Sequence, residues 1–554
     1  MNSGVSTLPH RPQPREETGM AKGEPTPAPV SFIFIRLFFR LALNTFYGSI
    51  VVENGDYVPE SGKPCIICPN HSNSVMDAPV VAITVPTNRR KLVRFTAKAS
   101  LFGKPTFSSW LIAAAGTVPI QRRKDNPDGI TDNASAMQAL MEALEAGDAV
   151  CLFPEGISRY HPEVAPLKTG VARMVSDVLG RNRDDPDFEV YVLPCSITYM
   201  HRQHFRSDML VSYSKPLVFS VKNNPELLPP VDFARVREVT SDLQEAIRAG
   251  TLEAPTWDLI RNAKLAARIY APLGTRMPLG EFVRLTRRFS DVFTDAEKDA
   301  PSRVAKADQK SVQKLSEDLK GYQDELVRLG VKDDRIRRPR HRPVIVWRML
   351  VRLMQSIFFL LIALPGLIMW TPVFITTRLA VRNFMKKGGP VYDTWDDISQ
   401  HKVLYGIPTI LAVCIAVITY TWHISKFTLF VTPAFMWISM RWIEDGVAAF
   451  RAFNALFRLL LIGKPALRQL YEKRSDLHSR VTNLAVETLG LPEDPEKFFA
   501  SIGGKEKGRV RGPWDHVVRY FSVKRRRKRD WNETLRLYDK VDYPTDDYPR
   551  DDSS

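Results

Sequence analysis

Cys65-Ile66-Ile67-Cys68-Pro69-Asn70-His71-Ser72-Asn73-Ser74-Val75-Met76-Asp77 is the stretch on which the reading of this 554-residue chain turns. Its first four residues form an apolar run that predicts a short strand, and the polar run after Pro69 predicts a loop. A strand that ends in a polar loop presents side chains at a sheet edge, where sites are usually built. A carboxylate beside an imidazole fixes its tautomer and stabilises its charged form. The histidine can then take a proton from a hydroxyl near neutral pH. By itself the His71–Asp77 pair also fits a structural histidine, so the choice rests on the residues further along the chain. Cys65 and Cys68 spell CxxC, but residues three apart on a strand face opposite sides. No second cysteine or histidine pair completes a metal site, and none is expected.

Outward from this stretch, residues 50 to about 220 alternate strand and helix signals. Strands are expected at Cys65–Cys68, Val93–Ala97, Asp148–Phe153, Val190–Pro194 and Leu210–Ser214. Ala136, Met137, Leu140, Met141 and Leu144 have helical spacing before Gly147, and Lys168–Leu179 reads as a second helix stopped by Gly180. This is the pattern of an α/β domain with its site at strand ends. Three further loops fall there. Gly116-Thr117-Val118-Pro119-Ile120-Gln121-Arg122 brings a guanidinium. Phe153-Pro154-Glu155-Gly156-Ile157-Ser158-Arg159 brings a carboxylate, a glycine for a sharp turn and a second guanidinium. Val192-Leu193-Pro194-Cys195-Ser196-Ile197 closes the set. Each alone reads as a turn with a solvated charge; together they place a base beside a cluster suited to a phosphorylated acceptor.

In this order, NHSNSVMD, GTVPIQR, FPEGISR and VLPCSI resemble the four signature blocks of the glycerolipid acyltransferases. The tight form of the first block has four residues between His and Asp, whereas five stand here. The longer spacing resembles the fungal-type glycerol-3-phosphate/dihydroxyacetone-phosphate acyltransferases, as do His204-Phe205-Arg206-Ser207, Leu252–Pro255 and Leu285-Thr286-Arg287-Arg288-Phe289. The likeness spans roughly residues 45–345. It implies a mixed sheet flanked by helices, with His71 as general base and Asp77 orienting it. It further implies that Arg122 and Arg159 hold the acceptor phosphate, that Glu155 and Gly156 shape the pocket, and that Lys168 assists. Acyl-CoA would be the co-substrate, glycerol-3-phosphate or dihydroxyacetone phosphate the acceptor, and no cofactor would be required. Two alternatives stand beside this reading: an acyltransferase acting on lysophosphatidic acid, and a non-catalytic membrane scaffold or lipid-binding protein.

Composition frames the remainder. Lys and Arg total 78 against 61 Asp and Glu, a net charge of +17 that favours an anionic partner. Five cysteines make no disulfide framework, so a reducing compartment is expected. Residues 1–30 form a Pro-rich tail. In 31–50, Arg36, Arg40 and Asn44 line one stripe of an otherwise apolar segment, which suits a helix lying in a membrane plane better than one crossing it. The acyltransferase domain is placed at 51–300, and a charged helix with a basic linker at 301–343. A membrane region is placed at 344–440. Within it Leu353–Thr377 carries no formal charge, and Pro365-Gly366 with basic flanks on both sides predicts a hairpin. Val403–Met440, interrupted by His423 and Lys426, predicts a helix pair closing on Arg441. Residues 441–520 read as amphipathic helices at a membrane surface, and 521–554 as a disordered tail, first basic and then acidic. The six basic residues Lys524–Arg529 suit an anionic leaflet better than nucleic acid, given the neighbouring apolar helices. An endoplasmic-reticulum membrane protein with its catalytic domain facing the cytoplasm is the location the likeness implies.

Overall fold

The strand at Cys65–Pro69 lies in the middle of an eight-stranded mixed sheet, and all five of its residues are buried. The computed structural model describes residues 26–121, 133–202, 204–271, 275, 277–298, 309–336, 341–387 and 397–501. The strands are β1 (Ser49–Glu53), β2 (Cys65–Pro69), β3 (Arg94–Lys98), β4 (Val118–Ile120), β5 (Ala149–Cys151), β6 (Glu189–Tyr199), β7 (Asp208–Tyr213) and β8 (Leu217–Ser220). Their order is β1-β7-β6-β2-β5-β3-β4, with β8 also on β6. β2 is parallel to both neighbours, β5 and β6. The free edge of β6 is shared: β8 runs antiparallel to its first half and β7 to its second. Cys65 and Ile67 pack into one apolar cluster with Val80, Val81 and Met209, while Ile66 and Cys68 pack into another with Leu140, Val175 and Leu243. A strand covered on both faces has no reason to alternate, which is why its sequence is continuously apolar. The two cysteines do face opposite sides.

Helices cover both faces. They are α1 (Val30–Phe46), α2 (Asp77–Thr84), α3 (Phe107–Ala114), α4 (Ala134–Glu145), α5 (Gly170–Arg181), α6 (Phe233–Arg248), α7 (Trp257–Tyr270), α8 (Leu279–Glu297), α9 (Gln309–Leu329) and α10 (Asp333–Ile336). The stop expected at Gly180 falls elsewhere, because α5 runs through it to Arg181 and is capped by Asn182. A Cβ on Gly180 would sit 2.6 Å from Pro229 Cδ, so the glycine admits a close approach instead of ending the helix. The charged helix α9 is amphipathic and packs by one face, leaving Lys310, Lys314, Glu317 and Lys320 exposed on the other. Val312, Leu315, Leu319 and Leu326 are buried against α7 and α8.

The apolar region forms α11 (Arg342–Ile362), α12 (Leu364–Lys387), α13 (Ile398–Tyr420) and α14 (Ser425–Leu461), followed by α15 (Lys464–Asn483) and α16 (Pro495–Ser501). Among the described residues α11, α12 and α13 are each long and apolar enough to cross a membrane. A fourth span is counted if α14 and α15, bent by 109°, are taken together. The break in the first stretch falls at Ala363, beside the expected Pro365, yet it makes no hairpin. Ser356 Oγ donates to Gly446 O, and the pairing on α14 then moves on through Gly366–Ser439 to Trp370–Met436. α12 therefore continues the path of α11 antiparallel to α14. α12 and α13 pair antiparallel, Thr376 meeting Thr409 and Phe384 stacking on His401. Arg441 ends nothing either: α14 runs through it, and Leu456 and Leu459 are buried in the helical body rather than laid on a surface.

On α1 the polar stripe turns inward, with the Arg36 guanidinium donating to the carbonyls of Arg90 and Val85. Ile33, Phe34, Leu37 and Leu41 face outward, an apolar face suited to a bilayer surface. Residues 1–25, Arg122, Arg337, Arg338, Arg340, the run Lys524–Arg529 and the acidic tail lie outside the described residues.

Candidate active site

The polar loop after β2 is held at its start by Asn70. Its side chain donates to Ile197 O at 3.1 Å and accepts from Ile197 N at 2.6 Å, tying the ends of β2 and β6 together. His71 follows, 13% exposed, with Nδ1 2.9 Å from Oδ2 of the fully buried Asp77. The same oxygen accepts the backbone N–H groups of Ser72 (3.0 Å) and Asn73 (2.9 Å), and Oδ1 accepts the Tyr199 hydroxyl at 2.6 Å. A buried charge is tolerable only when satisfied in this way. Since Asp77 occupies Nδ1, Nε2 is the ring nitrogen left to accept a proton. The five-residue spacing closes because Ser74–Met76 forms one 3₁₀ turn, entered through Ser74 at φ 49°, which takes up the extra residue before Asp77 opens α2.

The loop after β5 completes the surroundings. Phe153 stacks on the imidazole with centroids 4.3 Å apart. Glu155, 6% exposed, accepts His71 N at 2.5 Å and Ala165 N at 3.2 Å. Burial pushes its carboxyl up to about 7, against the lowering effect of those two backbone donors. Gly156 turns the chain at φ 73°, and Lys168 lies across it. A Cβ on Gly156 would be 2.8 Å from Lys168 Nζ. Lys168 N also donates to Pro154 O at 2.9 Å, so this exposed lysine helps close the turn.

A cavity of about 60 Å³ opens beside the loop, lined by Asn70, Ser72, Glu155 and Arg159 and, on its far side, by Arg202 and Lys264. It touches the residues flanking His71 and the carboxylate bonded to it. The structure thus brings His71, Asp77, Glu155 and Arg159 to one place, with Gly156 and Lys168 forming the adjoining turn; Arg122 lies outside the described residues. The sequence reading assigned no role to Tyr199, Asn70, Asn73, Arg202 or Lys264. Tyr199 is 122 residues from Asp77, and β6 runs five residues beyond Pro194, where the strand signal ends. Arg202 stacks over Tyr160 and Trp257 at 4.6 and 5.9 Å. No local pattern in the sequence announces either residue. Among the described residues no cluster of His, Cys, Asp and Glu is placed to hold a metal. The Cys65 thiol, pushed up to about 12 by burial, is a packing group.

Residues 49–198 match a family model described as Acyltransferase, and residues 262–388 one described as Glycerol-3-phosphate acyltransferase 2 C-terminal domain. The chain is 30% identical over 261 residues to glycerol-3-phosphate O-acyltransferase 2 of Saccharomyces cerevisiae, covering 46% of this chain and 33% of that protein. It is 25% identical over 404 residues to an uncharacterized acyltransferase of Schizosaccharomyces pombe, covering 68% and 58%. The chain therefore spans about a third of one relative and somewhat over half of the other. Among solved structures, the 1-acyl-sn-glycerophosphate acyltransferase of Thermotoga maritima is 20% identical, covers 40% of this chain and 77% of its own, and superposes with a TM-score of 0.30.

Proposed function

We propose that this chain, whose residues 49–198 belong to the acyltransferase family, moves a fatty acyl group from acyl-CoA to the sn-1 hydroxyl of glycerol-3-phosphate and/or dihydroxyacetone phosphate. The product is lysophosphatidic acid or its acyl-dihydroxyacetone-phosphate counterpart, released into a bilayer. The observation that carries the proposal is the 2.9 Å His71–Asp77 contact beside a cavity lined by Arg159. The C-terminal family match and the name of the Saccharomyces relative favour a small phosphorylated acceptor over lysophosphatidic acid.

A primary hydroxyl is a poor nucleophile until its proton leaves. His71 Nε2 takes that proton as the oxygen attacks the thioester carbonyl. Asp77 holds the ring and offsets the charge it gains, as in a triad whose serine is replaced by the substrate. The tetrahedral intermediate then collapses with cleavage of the C–S bond, and the imidazolium returns its proton to the departing thiolate. Arg159 holds the acceptor phosphate, so that binding positions the hydroxyl. Glu155 fixes the His71 backbone from below. Arg122 and Lys168 belong to the same anion-binding group in this reading. The enzyme is multi-pass in the endoplasmic-reticulum membrane with the catalytic domain on the cytoplasmic side, supported by Arg378, Arg382, Lys386 and Lys387 at the end of α12.

Purified full-length protein is incubated with acyl-CoA and each candidate acceptor, and the lipid formed is identified. Product from lysophosphatidic acid alone removes the proposal. His71→Ala should abolish turnover with expression and membrane insertion unchanged; residual activity above about a hundredth of wild type contradicts a general-base role.

A further inference from the structure

The loop that carries His71 and Asp77 is bonded directly to a helix of membrane-spanning length. Asn73, fully buried, stands between the two, and its N–H holds Asp77 Oδ2 at 2.9 Å. Its side-chain amide is clamped from both ends. Nδ2 donates to the Tyr47 hydroxyl at 3.0 Å, and Oδ1 accepts the Ser399 hydroxyl at 2.6 Å. Tyr47 caps α1, and Ser399, also fully buried, is the second residue of α13. The next residue repeats the connection: Ser74 Oγ lies 3.4 Å from Gln400 Oε1, while Ser74 N donates to Ser158 Oγ at 2.9 Å. Two consecutive loop residues are thus joined to two consecutive residues of α13, and the first of them sets the carboxylate that orients the base. Arg206 makes a second joint, donating to the carbonyls of Asn44, Thr45 and Tyr47 and pairing with Glu444 of α14 at 2.8 Å.

Further along α13, Leu411, Ile415 and Tyr420 face outward. On a helix long and apolar enough to span, such a face suits the interior of a bilayer. Ser399 in turn spends its hydroxyl on Asn73, although a serine in the first turn of a helix usually bonds its own backbone.

We propose that Ser399 is a positioning residue for the His71–Asp77 pair, so that the catalytic loop takes its working geometry only while α13 is seated in the membrane. The inference rests on the proposed acyl transfer for the reaction it affects, and on the hydrogen-bond network for the coupling itself. Ser399 touches no substrate; it acts through Asn73. An unseated α13 leaves Asn73 Oδ1 without its donor and frees the Ser72 and Asn73 amides to leave Asp77.

The test uses the full chain in phosphatidylcholine vesicles, with Ser399→Ala, Ser399→Cys, Asn73→Ala and the Asn73→Ala/Ser399→Ala double variant. Cysteine keeps the volume but donates weakly, so it separates hydrogen bonding from packing. Both Ser399 variants are expected to lower kcat about tenfold, with KM for acceptor and acyl-CoA within twofold of wild type. The double variant should be no slower than Asn73→Ala alone. Hydrogen exchange followed by mass spectrometry reports the coupling without any turnover: the peptide covering residues 71–77 should exchange about fivefold faster in both Ser399 variants, and in wild type moved from vesicles to a short-chain detergent. Wild-type kcat in Ser399→Cys, losses that multiply in the double variant, or unchanged exchange over 71–77 would each overturn the coupling. A wild-type protein that transfers no acyl group would sink the acyl-transfer proposal, and the exchange data would still decide this one.

Discussion

Asp77→Asn isolates the charge on which the proposed chemistry depends. Asp77 Oδ2 receives three donors, from His71, Ser72 and Asn73, and Oδ1 receives the Tyr199 hydroxyl. An asparagine of the same shape can set its carbonyl oxygen toward the three N–H donors and its NH₂ toward Tyr199, whose hydroxyl then turns to accept. The loop and the His71 tautomer survive while the negative charge is lost. Two unit charges about 4 Å apart attract by about 4 kcal/mol at an effective dielectric of about 20. The imidazolium formed in the transition state loses that support, and at about 1.4 kcal/mol per decade kcat should fall close to a thousandfold. Tyr199→Phe is the comparison: it removes one charge-assisted hydrogen bond of about 1.5–3 kcal/mol, leaves the charge in place, and should cost kcat only about tenfold. Steady-state kinetics on both variants in vesicles, with circular dichroism and thermal melts as folding controls, separates the two. An Asp77→Asn enzyme within tenfold of wild type, or no slower than Tyr199→Phe, would refute the assignment of imidazolium stabilisation to Asp77.

Arg159→Lys replaces a planar fork by a point charge in the cavity and should raise the acceptor KM about tenfold or more while KM for acyl-CoA stays within twofold; an equal rise in both removes Arg159 from the phosphate site. Glu155, pushed up to about 7 in the folded protein against an ordinary 4.5, stays protonated there while the unfolded chain releases its proton. Its contribution therefore falls as pH rises from about 4.5 to about 7, by on the order of 3 kcal/mol in all. Glu155→Gln should flatten that part of the stability-versus-pH curve in unfolding measurements, and an unchanged slope would show that Glu155 does not titrate in that window.

Much of the site was legible in the chain because its residues sit in short blocks at the ends of apolar strands. β2 reads as a strand because both its faces are covered, and the loop after it carries both His71 and Asp77. The short strands β1, β4 and β8 are apolar as well, but runs of three to five residues are too brief for their pattern to separate a strand from a turn or a piece of helix. Gly180 misled for a definite reason. A glycine in a helix can mark a stop or a close contact, and only the position of Pro229 distinguishes the two. The charge-free run at 353–377 was likewise ambiguous, because a Pro-Gly break permits either a reversal or a kink. The choice was made by packing against α14, a helix more than sixty residues further on.

An α/β domain with a histidine–carboxylate pair at a strand end, followed by helices apolar enough for a membrane, can be read along the chain, because those properties follow from local periodicity and composition. That Tyr199 closes the Asp77 shell, that Arg202 and Lys264 wall the cavity, and that Ser399, 326 residues from Asn73, grips the catalytic loop emerges from the folded chain alone. Each is one polar atom meeting another across the fold. A hydrogen bond is satisfied by position in space and leaves no period in the chain for a reader to find.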